Sequence, residues 1–129
     1  MDIQAVGQNN GRAGQQQFLD QPTPIPGLSL TIPEGAGDLA LVILNVPASY
    51  AVIIDSSGQG GQFNLSVDGT MLPEYAAYNY LTSMPLQNVN GRVPATLVVA
   101  VPLTLKPQTV VALASYCIID SSASLSVLI

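Results

Sequence analysis

The chain has 129 residues, 9% of them charged and 48% hydrophobic, with a formal net charge of -5, no His and one Cys. This length accommodates one domain. Eight carboxylates against three cations argue against nucleic acid and anionic lipid as partners, since both need basic patches, and no apolar run approaches the roughly 18 residues of a spanning helix, so membrane insertion by helices is not expected.

Residues 1–20 are rich in Gln, Asn and Gly, including Gln8-Asn9-Asn10-Gly11 and Gln15-Gln16-Gln17. Such a segment can bury little, so 1–20 is expected to be a flexible arm or an extended lead-in strand ahead of a domain spanning 21–129. Met1-Asp2-Ile3-Gln4 lacks a basic region followed by an apolar core. Synthesis in the cytoplasm without a secretory signal is therefore expected, with release or display at a surface by a route the sequence does not specify. From Gln21 the texture changes: Pro22, Pro24, Pro26 and Pro33 oppose helix, and β-branched runs begin. Strands are expected near 28–32, 39–46, 50–55, 62–67, 76–82, 92–101, 108–116 and 123–129. Turn signals separate them at 33–38, 57–61, Asp68-Gly69 and Asn90-Gly91. No window carries a capped helical stripe. Short strands punctuated by Gly and Pro predict an all-β sandwich of the jelly-roll type.

Patterning bears on assembly. Phe63-Asn64-Leu65-Ser66-Val67 alternates as a strand with one wet face should. By contrast, Leu39, Leu41 and Ile43 are apolar on one side of their strand, and Ala40, Val42, Leu44 and Val46 on the other. Segments 98–103 and 110–113 are similarly two-sided. Strands apolar on both faces of a two-layer sandwich call for a covering subunit, or for loops that close over them. The pentapeptide Ile-Ile-Asp-Ser-Ser occurs at 53–57 and again at 118–122, where local turn capping is the simpler reading and a duplicated carboxylate site the alternative.

Catalysis has little to draw on. Without His the usual general base and the commonest metal ligand are missing. Cys117, in Tyr116-Cys117-Ile118-Ile119, reads as a small buried apolar residue. Asp55, Asp68, Glu74 and Asp120 fall in or beside turns, and no phosphate-cradling glycine motif, zinc spacing or EF-hand loop occurs. No enzymatic activity, cofactor or metal is expected, with calcium held by loop carboxylates left open. A binding role has better equipment. Arg92 follows the Asn90-Gly91 turn, Tyr75, Tyr78 and Tyr80 lie upstream, and Tyr50 ends another strand. A planar fork of donors near aromatic faces suits a polyol such as a sugar. Solvation of a turn and ordinary strand packing are the competing roles for these residues.

Four segments, in order, carry a family resemblance: Ile25-Pro26-Gly27-Leu28; Val42-Ile43-Leu44-Asn45-Val46-Pro47 with Tyr50-Ala51; Gly91-Arg92-Val93-Pro94; and Ile119-Asp120-Ser121 with Ala123-Ser124-Leu125-Ser126. From about residue 22 onward the chain resembles the TNF-like lectin domains found at the N-terminus of the Burkholderia two-domain superlectin. The resemblance implies a TNF-like jelly-roll homotrimer that binds fucosylated glycans in clefts between protomers. It implies that one protomer supplies Tyr50 and the loop containing Asn90 and Arg92, and its neighbour Asn79, Tyr80 and Phe63. Leu113 stands where the family has a second, neighbour-supplied Arg. Loss of that cation removes charge-assisted hydrogen bonds of roughly 1.5–3 kcal/mol each, which bears directly on fucose specificity. The expected function is therefore a carbohydrate-binding protein acting on cell-surface glycans as a self-assembled trimer. The alternative is a non-catalytic trimeric assembly module of a surface appendage or virion.

Overall fold

A computed structural model describes residues 3–9, 16–18, 21–51, 61–77, 93–119 and 122–129. Among them ten strands follow in chain order: β1 (Ile3–Asn9), β2 (Gln16–Phe18), β3 (Thr23–Ile32), β4 (Leu39–Ala51), β5 (Gln62–Val67), β6 (Thr70–Ala77), β7 (Val93–Pro102), β8 (Gln108–Ser115), β9 (Cys117–Ile119) and β10 (Ala123–Leu128). The described residues contain no helix. The strands form two antiparallel sheets, so the fold is an all-β sandwich. One sheet runs β3-β8-β5-β6. The other centres on β4, with β7 on one edge and β10 and β9 sharing the opposite edge. Beyond these, β1 pairs with β10 and β2 with β9.

Local chemistry sets several of these elements. Asp68 has φ 50° and Gly69 φ 85°, the two left-handed residues that a two-residue hairpin of type I′ requires. They join β5 to β6 with Val67 opposite Thr70. Asp68 also ties the hairpin to β8: its N–H donates to the Thr109 carbonyl and its carboxylate accepts from the Thr109 N–H, both at 2.9 Å. At Tyr116, φ of 59° turns the chain between β8 in one sheet and β9 in the other. A non-glycine residue rarely takes this conformation, and here it marks the corner between layers.

The core lies between the sheets. Ala40, Val42, Leu44 and Val46 of β4 are buried in one cluster with Phe63 and Leu65 of β5 and Val110 and Ala112 of β8. Each large side chain removed from water in this way contributes about 1.5–3 kcal/mol. In β10, Ala123, Leu125 and Val127 point inward while Ser124, Ser126 and Leu128 stay partly exposed.

The strands differ from expectation at several points: Cys117–Ile119 forms a strand, β9, that was not expected, and other boundaries move. Segments 39–46 and 50–55 were expected as separate strands, yet Leu39–Ala51 is continuous, with a register shift against β7 between Val46 and Ser49. Pro47 lies in that interval and is exposed. It cannot donate to a ladder, and the irregularity absorbs it. Segment 52–55 lies outside the described residues. The strand expected at 76–82 begins at Thr70 instead, directly after the hairpin, and 78–82 lie outside the described residues. The strand expected at 28–32 starts at Thr23 and runs through Pro24 and Pro26. Both β3 and β6, which carries Pro73, are edge strands, where a missing donor faces no partner.

Candidate functional site

The register between β4 and β7 is the frame for one half of the expected site. Ser49 pairs with Val93 of β7 on one side and with Ile119 of β9 on the other. Tyr50 follows in β4, opposite Ile118. Val93 opens β7 and is the chain neighbour of Arg92. Asn79, Tyr80, Asn90 and Arg92 lie outside the described residues, as do Asp120, Ser121 and the first Ile-Ile-Asp-Ser-Ser segment.

Phe63 belongs to the other sheet. It pairs with Ala114 and Ala76, is fully buried and faces the core. Its chain neighbour Asn64 therefore takes the outer face, since successive strand residues alternate. Across that face runs the row Tyr75, Asn64, Leu113, Pro24. Leu113 is 9% exposed, so it is separated from Phe63 by the thickness of the sheet, and no cation stands in its row. The only cation among the described residues is Lys106, in the loop between β7 and β8, where its N–H donates to Thr104 Oγ1 at 3.2 Å. Of the residues attributed to one protomer, Tyr50 thus belongs to the β4 sheet, whereas Phe63 and Leu113 belong to the β5–β8 sheet. Sequence alternation already separated Phe63 from Asn64; what it lacked was the sheet pairing that brings Asn64 beside Tyr75 and Leu113.

Other chemistry is sparse. Among the described residues no three His, Cys, Asp or Glu side chains converge on a common point. Cys117 is fully buried, and burial pushes its thiol up from 9.0 to about 12. The interior keeps the protonated form. Its contribution to stability is complete below pH 9 and is lost as pH rises through about 12. At about pH 8 the native protein should leave Cys117 untouched by a disulfide exchange reagent, with reaction at the rate of a free thiol after denaturation. Between these two pKa values, the midpoint of urea unfolding should fall with pH more steeply in the natural protein than in Cys117→Ala.

Two antiparallel sheets closed around an aliphatic core define a β-sandwich domain. Residues 11–128 match the family model of the Bc2l-C N-terminal domain, and the chain belongs to that family. The match spans β2 to β10 and begins after β1. No curated protein matches the chain.

Proposed function

We propose that this protein is a non-catalytic lectin: a TNF-like jelly-roll sandwich that assembles as a homotrimer and binds cell-surface glycans, fucosylated ones first among them, between protomers. The observation that carries the reading is the β4–β7 register. With Ser49 opposite Val93, the same register continued by one residue would set Tyr50 opposite Arg92. Directly opposed residues share a face, so an aromatic ring and a fork of donors would stand side by side, with Asn90 in the adjoining turn. In this reading Asn79 and Tyr80 come from the neighbour, and Phe63 supports that half-site from the core. Membership of the Bc2l-C N-terminal domain family supports the lectin role.

The need for a neighbour has its own support. The outer face of the β4 sheet carries Leu39 and Val98, 53% and 54% exposed, with Leu41, Ile43 and Leu128 partly exposed between and beside them. Ile43 pairs with Val98, and Leu41 with Ala100 on one side and Leu128 on the other, so apolar side chains adjoin across these strands. Toward one end the face becomes polar, where Thr96 Oγ1 donates to Asn45 Oδ1 at 3.1 Å. An apolar face with a polar margin is the composition of a permanent subunit contact. Val98→Glu should therefore convert the trimer to monomer by light scattering, and glycan binding should vanish with it. A Val98→Glu trimer would remove this face from the interface.

A glycan array on the trimer tests the function. Selective retention of fucosylated structures supports the lectin reading as stated, and retention of other sugars moves the specificity. A blank array from a confirmed trimer sinks it and favours the assembly module of an appendage or virion. Leu113, nearly buried in place of a cation, is the observation on that second side.

A further inference from the structure

The outer face of the β4 sheet changes character along its strands, and the change can be followed row by row because directly opposed residues share a face. Leu39 stands opposite Pro102, Leu41 between Ala100 and Leu128, and Ile43 between Val98 and Ser126. The next row is polar throughout: Asn45 lies between Thr96 and Ser124. Thr96 is exposed, and Asn45 and Ser124 are partly exposed. Within the row Thr96 Oγ1 donates to Asn45 Oδ1 at 3.1 Å, which ties the carboxamide of β4 to β7. None of these residues carries a charge, so a charged partner of either sign finds no complement here. A second copy of the chain does. Aliphatic rows match aliphatic rows, and a carboxamide and a hydroxyl each offer both a donor and an acceptor, so the polar row can satisfy a copy of itself.

We propose that Asn45 and Thr96 are positioning residues for the sugar site, acting by fixing how one protomer is seated on the next. This rests on the lectin reading, in which the site lies between protomers. Aliphatic surfaces attract without direction, so one can slide over another at little cost. A polar row drawn out of water must find partners or destabilise the contact, so only seatings that align it are favoured. A single Asn in an otherwise apolar contact between helices fixes register by the same means. The row also stands in the right place. It lies between the aliphatic rows and the end of β4 that carries Tyr50, and four residues separate Asn45 from Ser49, a span of at most about 14 Å. A slip of one residue along a strand is about 3.4 Å, far more than a hydrogen bond tolerates. Such a slip would part the sugar-binding groups of one protomer from those of its neighbour while burying much the same aliphatic area. The aliphatic rows hold the protomers together, and the polar row sets where they stop.

The Asn45→Val/Thr96→Val double variant tests this, read by native mass spectrometry, thermal melting and calorimetry with methyl α-L-fucoside. Removing both partners together leaves neither unsatisfied, and apolar groups of similar volume in an apolar contact are neutral or stabilising. The double variant should therefore stay associated, melt no lower than the natural protein, and lose at least about 10-fold in fucoside affinity, the scale of one hydrogen bond to a charged group. Thr96→Ser keeps the hydroxyl and should bind within about twofold of the natural protein. Undiminished affinity in the double variant overturns the positioning role and leaves the lectin reading standing. A loss of affinity that comes with dissociation or a lower melting temperature overturns it too, because the pair would then be ordinary packing. So does a Thr96→Ser variant that loses as much as the double variant. A natural protein that binds no fucoside overturns the fucose-binding reading and the positioning role with it.

Discussion

Arg92→Ala should lower glycan affinity by more than about 100-fold while leaving the trimer and its melting temperature unchanged. A guanidinium presents two parallel donors, and each charge-assisted hydrogen bond it makes to a sugar hydroxyl is worth roughly 1.5–3 kcal/mol. Losing two of them exceeds the ~2.8 kcal/mol that corresponds to a factor of 100. Arg92 is one of only three cations in the chain, and Leu113 stands where the resemblance expects a second one. Arg92→Lys should fall between the two, since it keeps the charge and loses the fork. Both variants belong in a monovalent titration, because three sites on a glycan-coated surface would disguise the loss through effective concentration. Undiminished binding by an Arg92→Ala trimer would place the sugar away from the β4–β7 junction. It would leave Tyr50 and Arg92 as ordinary strand-end residues.

The same register argument indicates how much was legible beforehand. Asp68-Gly69 could be read directly, because the local demand for two left-handed residues is written in the residue types. Tyr116 could not: its φ of 59° answers a tertiary requirement, the passage from one sheet to the other, and its residue type carries no trace of that. Prolines misled in a consistent way. Pro47 and Pro73 fall in gaps between the expected strands, yet one sits at a register irregularity and the other in an edge strand, where ladder donors are not needed. The apolar outer face of β4 was legible from 39–46, since a strand apolar on both sides requires only a period of two to detect. The proposed site was harder, because its halves would be brought together by strand pairing and by a neighbour, neither of which a linear pattern encodes. The row of Tyr75 and Asn64 likewise depends on the register between β5 and β6.

Phe63 is where alignment and periodicity pull apart, and its substitutions separate them by stability. The resemblance places Phe63 at the sugar, whereas the alternation of Phe63, Leu65 and Val67 against Asn64 and Ser66 points it at the core. The ring is fully buried between the sheets, paired with Ala114 and Ala76. Phe63→Ala should therefore cost about 3–5 kcal/mol, through lost transfer energy and the cavity left behind. A protein of this size with a few kcal/mol to spare would be close to unfolding. Phe63→Tyr is the sharper comparison. Placing a hydroxyl in this aliphatic interior leaves a buried polar group to be satisfied, at about 1–3 kcal/mol. Urea titration of the two variants should show both losses, the alanine larger, and the tyrosine variant that remains folded should bind glycan no better than the natural protein. Were Phe63→Tyr instead to keep full stability and gain affinity, its hydroxyl would have reached the ligand. The inward orientation of residue 63 would then belong only to the unliganded sandwich.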